Sequence, residues 1–204
     1  MSKPVPDIVI NRLPLYLRAL AFLEIEKKPV TSSQELSERL GFSSAQIRKD
    51  LSYFGGFGKQ GTGYNVAYLQ KQLQQILKID RAWDMILVGA GDLGSALARY
   101  QGFATHGFCL VGIFDNAPAK IGARVNGLVV LDMAEMPRVV RAKKVEIAVL
   151  AVPAGEAQGV TNKLVEAGIH SVLNYAPRTL SVPENVKVHY IDPVAGLQSM
   201  TYYL

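Results

Sequence analysis

The sequence predicts an α/β protein in two parts: a helical N-terminal domain with a β-hairpin, and a second domain built on a doubly wound, mainly parallel sheet. Three observations carry this. Apolar residues recur at helical spacing up to about residue 80 and then give way to alternating strand and helix patterns, with LKIDRAW as the join. The segment MILVGAGDLGSALARY runs from an apolar strand through a glycine-rich turn into a helix. The stretch AQIRKDLSYFGGFGKQGTGYNV, residues 45–66, sets three adjacent charges between apolar residues and then breaks into a glycine-rich, basic loop.

The 204 residues, 49% hydrophobic and 19% charged, suffice for one sizeable core or two small ones and argue against disorder. No apolar run approaches the ~20 residues of a bilayer span, and MSKPVPDIVINR has no apolar stretch of signal-peptide length, so no membrane partner and a cytoplasmic protein are expected. Cys109 is the only cysteine and lies in FCLVGIF, which reads as a buried strand; a disulfide framework is impossible. His106, His170 and His189 are scattered without ligand spacing, so no metal is expected. Residues 1–80 hold eleven Lys/Arg against seven Asp/Glu, and residues 81–204 eleven against ten, which places the basic excess in the first domain.

In that domain Leu13, Leu17, Leu20 and Ile25, with Phe22 and Leu23, trace a buried helical face that Pro14 can begin and Pro29 must end. Ser32 with Glu35 forms a capping-box pattern for a second helix, Leu36 and Leu40 face inward, and Gly41 is a natural C-terminal cap. A third helix starts at Ser43 or Ser44 and ends at Gly55-Gly56, with Ile47, Leu51 and Phe54 as its buried stripe. At about 100° per residue this turns Ala45, Lys49 and Ser52 to the opposite face, flanked by Gln46, Arg48 and Tyr53. Two short helices joined by a tight turn, the second with a polar, basic face, make a helix-turn-helix whose last helix suits the DNA major groove. Glycines 56, 58, 61 and 63 then suit a hairpin with Lys59 and Gln60 at its tip, the wing of a winged-helix domain. The bland alternative makes Arg48-Lys49-Asp50 an ordinary solvated face and the glycines an ordinary loop. The adjacency of the two features favours nucleic-acid binding.

The second domain opens with a strand that leads into Gly89-Ala90-Gly91-Asp92-Leu93-Gly94 and then a helix, the context that aims backbone N–H groups and a helix dipole at a pyrophosphate. Gly89 permits the tight turn, Gly91 the close phosphate approach, and Gly94 the packing of helix on strand. The next strand, FCLVGIFD, ends in Asp115, placed to hold the hydroxyls of an adenosine ribose and to repel a 2′-phosphate, which favours NAD(H) over NADP(H). The alternative is that Asp115 is simply a turn residue of DNAP. GLVVLD, a helix around Met133 to Arg141, EIAVLAVP, a helix from about Glu156 to Ala167, SVLNYAP and KVHYID continue the alternation. The loops after strands, among them Ala151-Val152-Pro153 and Asn174-Tyr175-Ala176-Pro177, are expected to line the ligand crevice. Val194, Leu197, Met200 and Leu204 recur at helical spacing on a segment too short to fold unsupported, which points to packing on a partner protomer.

Over essentially its full length the chain resembles the redox-sensing transcriptional repressor Rex family of bacteria. The matching segments are RLPLYLR at 12–18, SSQELSERLG at 32–41, QIRKDLSYFGGFGKQGTGYNV at 46–66, VGAGDLGSAL at 88–97, GIFD at 112–115, NYAP at 174–177 and AGLQSMTYYL at 195–204. The resemblance implies three parts: a winged-helix DNA-binding domain at 1–80, a Rossmann NAD(H)-binding domain at 81–191, and a dimerisation helix at 192–204 exchanged between the protomers of a homodimer. It further implies that NADH releases the dimer from operator double-stranded DNA. Carried over, the DNA-reading helix falls on Ser43 to Phe54, including Ser44, Gln46 and Ser52, with Arg48 and Lys49 as principal contacts. Tyr100 matches an aromatic switch residue near the nicotinamide, and Arg18 with Asp192 an ion pair that differs between ligand states. Two positions depart from the family pattern: Gln60 stands where many relatives carry a second basic wing residue, and Pro193 where some carry Phe.

The competing reading is an NAD-dependent oxidoreductase with an N-terminal helical interaction domain. Against it, the nucleotide fold consumes the roughly 120 residues after the join and leaves no substrate domain, although His106 or Tyr100 could serve in proton transfer. A regulator for another adenosine ligand such as coenzyme A is a third class.

Overall fold

The structure, a computed structural model, describes residues 5–59 and 62–204; the Lys59 side chain and Gln60 lie outside the described residues. It divides into two compact units, residues 1–81 and 82–204.

The first unit begins with α1, Asp7–Ile25. Contrary to the sequence expectation, Pro14 does not begin this helix but sits inside it. Pro6 occupies the N-cap position and Asp7 places a carboxylate in the first turn, where the helix dipole favours it. Burial of Val9 before the proline and of Leu13 and Tyr16 around it offsets the backbone hydrogen bond that the proline forfeits. Leu13, Leu20 and Leu23 are buried as expected, whereas Phe22 and Ile25 are exposed, at 55% and 76%. A short strand β1, Val30–Thr31, leads to α2, Ser33–Leu40. Ser32 caps α2 by accepting the Glu35 N–H at 3.1 Å, and Gly41 closes it at φ 75°. Helix α3, Ser44–Ser52, is capped by Ser43, which accepts the Gln46 N–H at 3.2 Å.

Strands β2, Gly58–Lys59, and β3, Gly63–Asn65, form the expected hairpin, and β3 also pairs with β1, giving the order β1-β3-β2 among the described residues. Two glycines make this close approach possible. A Cβ on Gly58 would lie 2.4 Å from the Gly63 carbonyl oxygen, and one on Gly63, at φ 74°, 2.4 Å from that of Thr31. Helix α4, Val66–Ile76, was not anticipated individually; Asn65 caps it, accepting the Tyr68 N–H at 2.8 Å. Leu69 and Leu73 of α4 join Leu13, Leu20, Leu36, Ile47 and Leu51 in one core.

The second unit contains strands β4 (Trp83–Val88), β5 (Phe108–Asp115), β6 (Arg124–Val125), β7 (Leu128–Asp132), β8 (Ile147–Leu150), β9 (Ser171–Asn174) and β10 (Lys187–Tyr190). They lie in the order β10-β9-β8-β4-β5-β7-β6, parallel throughout except for the β6–β7 hairpin. That hairpin turns on Asn126-Gly127, both at positive φ, a two-residue turn signal present in the sequence. Helices α5 (Asp92–Arg99), α6 (Gly102–Thr105), α7 (Met136–Lys143), α8 (Ala154–Ala167) and α9 (Pro193–Met200) complete the unit.

Strand alternation sorts the core into two layers. Ile86 and Val88 of β4 pack with Met136 and Val140 of α7 and Leu164 of α8, while Met85 and Leu87 of the same strand pack with Ala98 of α5. Only the C-terminal half of β5 is buried, so Cys109, near its start, is exposed rather than buried. The chain runs outward through β5 and β7, then returns to place β8 against the other side of β4. This reversal between β4 and β8 opens a crevice at the carboxyl ends of those strands.

Candidate nucleotide and nucleic-acid sites

The crevice is an open cleft of about 570 Å³, and the loop after β4 meets the loop after β8 within it. Gly89, at φ 99°, has the Ala151 carbonyl oxygen 2.2 Å from where a Cβ would stand, so the turn admits no side chain. A Cβ on Gly94 would fall 1.8 Å from the Gly89 carbonyl oxygen, which fixes glycine in the first turn of α5. At Gly91 a Cβ would meet nothing within 4 Å, so that glycine keeps the mouth of the turn open. No side chain caps α5; its first N–H groups face the turn and suit an anion.

Asp115, at the end of β5, is 5% exposed and lines the cleft. Its Oδ2 accepts the Ala90 N–H at 2.7 Å and the Lys120 ammonium at 3.1 Å, and its Oδ1 accepts the Ala117 N–H at 2.9 Å. Burial pushes this carboxyl up, but the two backbone N–H groups and Lys120 outweigh burial and hold it below the ordinary carboxylate range. The turn reading and the ligand reading of Asp115 therefore coexist: one residue braces its own turn, ties the nucleotide loop to β5 and faces the cleft.

Of the residues expected here, Gly89, Gly91, Asp92, Leu93, Asp115, Val152 and Pro153 line the cleft. Ala90 reaches it through its bond to Asp115, and Gly94 lies buried behind the turn. Asn174 is not on its walls. That side chain is 1% exposed and closes its own loop, with Nδ2 donating to the carbonyls of Ala176 and Arg178 and Oδ1 accepting the Ala176 N–H. Tyr100 is also absent from the walls, 61% exposed and packed edge-on against Phe103 at 5.2 Å; Tyr175 is near enough that Tyr100 adds to the burial raising its phenol. Lys120, Asn116, Met133, Glu156 and Lys163 line the cleft without having been singled out in the sequence, because only the folded loops and α8 bring them there.

In the first unit α3 presents the expected face. Ala45, Arg48, Lys49 and Ser52 are exposed and Ile47 and Leu51 buried. Ser43 is occupied as a helix cap, Ser44 opens the helix, and the Ser52 hydroxyl donates to the Lys49 carbonyl at 2.7 Å. Arg48 Nη1 donates to Ser33 Oγ at 2.9 Å, and both residues line a groove of about 640 Å³ that the glycine-rich hairpin borders. Asp50, which the bland reading places on a solvated face, is instead 0% exposed. It accepts Arg12 Nε at 2.6 Å and Nη2 at 2.7 Å, the Tyr16 hydroxyl at 2.5 Å and Gln46 Nε2 at 2.6 Å. Burial alone would raise its carboxyl, but these four bonds together hold it low, and burial with the bond to Asp50 pushes the Tyr16 phenol well up. Arg18 is exposed on α1; Asp192 caps α9, accepting the N–H groups of Val194 and Ala195. Among the described residues no group of three His, Cys, Asp or Glu is placed to hold a metal, and no helix is long and apolar enough to cross a membrane.

Comparison with known proteins finds matches for both units. A family model described as "Putative DNA-binding protein N-terminus" matches residues 4–52, and one described as "CoA binding domain" matches residues 80–178. The redox-sensing transcriptional repressor Rex of Chloroflexus aggregans is 56% identical over 203 residues, covering 100% of this chain and 96% of its own. That of Streptomyces coelicolor is 42% identical over 99% of this chain and 78% of its own. The solved structure of RSP in complex with β-NAD+ and operator DNA superposes with a TM-score of 0.93 at 39% identity, over 98% of this chain and 93% of its own. The β-NADH complex of RSP gives 0.89 at 37% identity, over 98% and 94%. With such identity over its full length, and with a winged helix and a dinucleotide crevice on one chain, this protein belongs to the Rex family of redox-sensing transcriptional repressors.

Proposed function

We propose that this chain is a homodimeric DNA-binding repressor that senses the NADH/NAD+ ratio, with NADH releasing it from its operator. The observation that carries the reading is the pairing, on one chain, of an exposed, cationic α3 beside a glycine-rich hairpin with a strand–GAGDLG–helix crevice. The relative RSP has been solved both with NAD+ and operator DNA and with NADH, the two ligand states such a sensor must distinguish. The protein works as a regulator rather than an enzyme, and acts in the cytoplasm, where a bacterial chromosome lies.

In this reading the N–H groups that open α5 hold the pyrophosphate, Gly91 lets it approach, and Asp115 faces the ribose. Oxidised nicotinamide carries a positive charge and reduced nicotinamide none. A site that encloses the ring without a counter-charge therefore favours the reduced form, because an unpaired buried charge is costly. Differential affinity for two dimer arrangements is all a switch requires, with a coupling of typically ~1–3 kcal/mol. Arg18 and Asp192, exposed on α1 and capping α9, are the ion pair proposed to differ between those arrangements.

The match of the second unit to a CoA-binding model makes coenzyme A the ligand to exclude. Titration with NADH, NAD+, NADPH and coenzyme A, each followed by DNA-binding measurement, tests the reading. NADH binding tightest and alone lowering DNA affinity is expected; tightest binding of coenzyme A, or turnover of NADH with a small substrate, overturns it.

A further inference from the structure

Three side chains from two helices converge on one buried carboxylate with four hydrogen bonds, and one of the three lies on the flank of α3. Asp50 is 0% exposed, yet it stands only four residues after Gln46 on α3. Arg12, 38 residues earlier, grips both its oxygens, and Tyr16 adds a third donor from the same face of α1. A carboxylate so held has one fixed position, and it accepts hydrogen bonds only. Gln46 must therefore turn its amide nitrogen inward to make the 2.6 Å bond. This sets the roll of the amide plane and leaves Oε1 and the second N–H without a partner among the described residues. One acceptor beside one donor, held in a plane, is the pattern that matches the N6 and N7 edge of adenine in the major groove.

We propose that Asp50 is a positioning residue that aims the Gln46 amide at an adenine of the operator. The inference rests on the reading of α3 as the DNA-recognition helix. Long polar side chains on a recognition helix lose rotamer freedom on binding; Gln46 has lost it before DNA arrives, which sharpens discrimination. The Arg12–Tyr16–Asp50 cluster thus stabilises the seat of α3 on α1 and, through Gln46, contributes to which base the helix selects.

The test is selection from random duplexes with the full-length wild type, Gln46→Ala, Asp50→Asn and the double variant, followed by the ratio of selected-site to random-DNA affinity. That ratio does not depend on the fraction of folded protein. Wild type should select adenine at one position. Gln46→Ala should lower preference there by about tenfold, Asp50→Asn by a similar factor at the same position, and the double variant no further. Tyr16→Phe, which removes a bond to the same carboxylate without touching Gln46, should keep the ratio. Should Asp50→Asn fold poorly, the apolar triple variant R12M/Y16F/D50L, which leaves no buried charge unpaired, makes the same measurement. Losses that add in the double variant, or an unchanged ratio in Asp50→Asn, overturn the positioning role alone. A wild type that selects no sequence overturns the repressor reading with it.

Discussion

The Asp115 carboxylate accepts the Ala90 backbone N–H at 2.7 Å, so the residue proposed to face the ribose also fastens the turn after β4. Asp115→Ala removes both functions. The variant should lose much of its NADH response, and the part-buried Ala90 and Ala117 N–H groups left without an acceptor should cost about 1–3 kcal/mol of stability in the second unit. Operator binding without nucleotide should survive. Titrating protein–DNA complexes with NADH checks this; release equal to that of wild type would remove Asp115 from the site.

Gly94 tolerates no side chain, because its Cβ would stand 1.8 Å from the Gly89 carbonyl oxygen. Gly94→Ala should push α5 off the turn, cost at least about 2 kcal/mol, and weaken nucleotide binding more than tenfold. Gly91→Ala, whose Cβ meets nothing within 4 Å, should leave stability unchanged and weaken only binding. Denaturation curves and NADH titrations of the pair separate packing from ligand approach.

Arg48 and Lys49 are exposed beside a buried stripe, so alanine at either position should spare the core. Arg48→Ala is expected to cost ~1–3 kcal/mol and relax one operator position, and Lys49→Ala to weaken all DNA alike and lower the salt slope by about one. Affinities across a salt series decide between the two patterns. Wild-type operator affinity in both variants would make the helix an ordinary solvated face.

Val194, Leu197 and Met200 on α9 are each 60–62% exposed in the single chain. Deleting residues 193–204 should convert a dimer to monomers or aggregates in sedimentation; an intact, soluble dimer would assign these side chains another role.

Asp50 titrates below the ordinary Asp value of about 3.9, so its contribution to stability is complete at neutral pH. As pH falls below about 4 and through the lowered folded value, the unfolded chain takes up the proton first and that contribution is lost. Wild type should thus lose its advantage over Asp50→Asn between neutral and strongly acidic pH. Urea denaturation at each pH measures the difference, and parallel pH profiles would contradict it.

The nucleotide turn, the capped helices and the hairpin glycines were legible in the sequence because their causes are local. A strand, a GAGDLG turn and a helix are contiguous; Ser32 and Ser43 reach N–H groups three residues on; Gly63 answers to its own φ of 74°. The exposed, basic face of α3 followed from helical spacing alone. Three-dimensional packing decided the remainder. Asp50 stands next to two exposed cations in sequence, and nothing local distinguishes it from them; its burial is tolerable only because Arg12 and Tyr16 arrive from another helix. Pro14 reads as a helix start, yet the core contacts on both sides of it carry α1 through. Asn174 belongs to a loop expected at the crevice, but its hydrogen bonds within that loop turn it inward, while Lys120 and Lys163 reach the cleft from positions that carry no motif. A local pattern constrains backbone conformation, whereas the partner of a buried polar group depends on which distant segment the fold brings within hydrogen-bond reach.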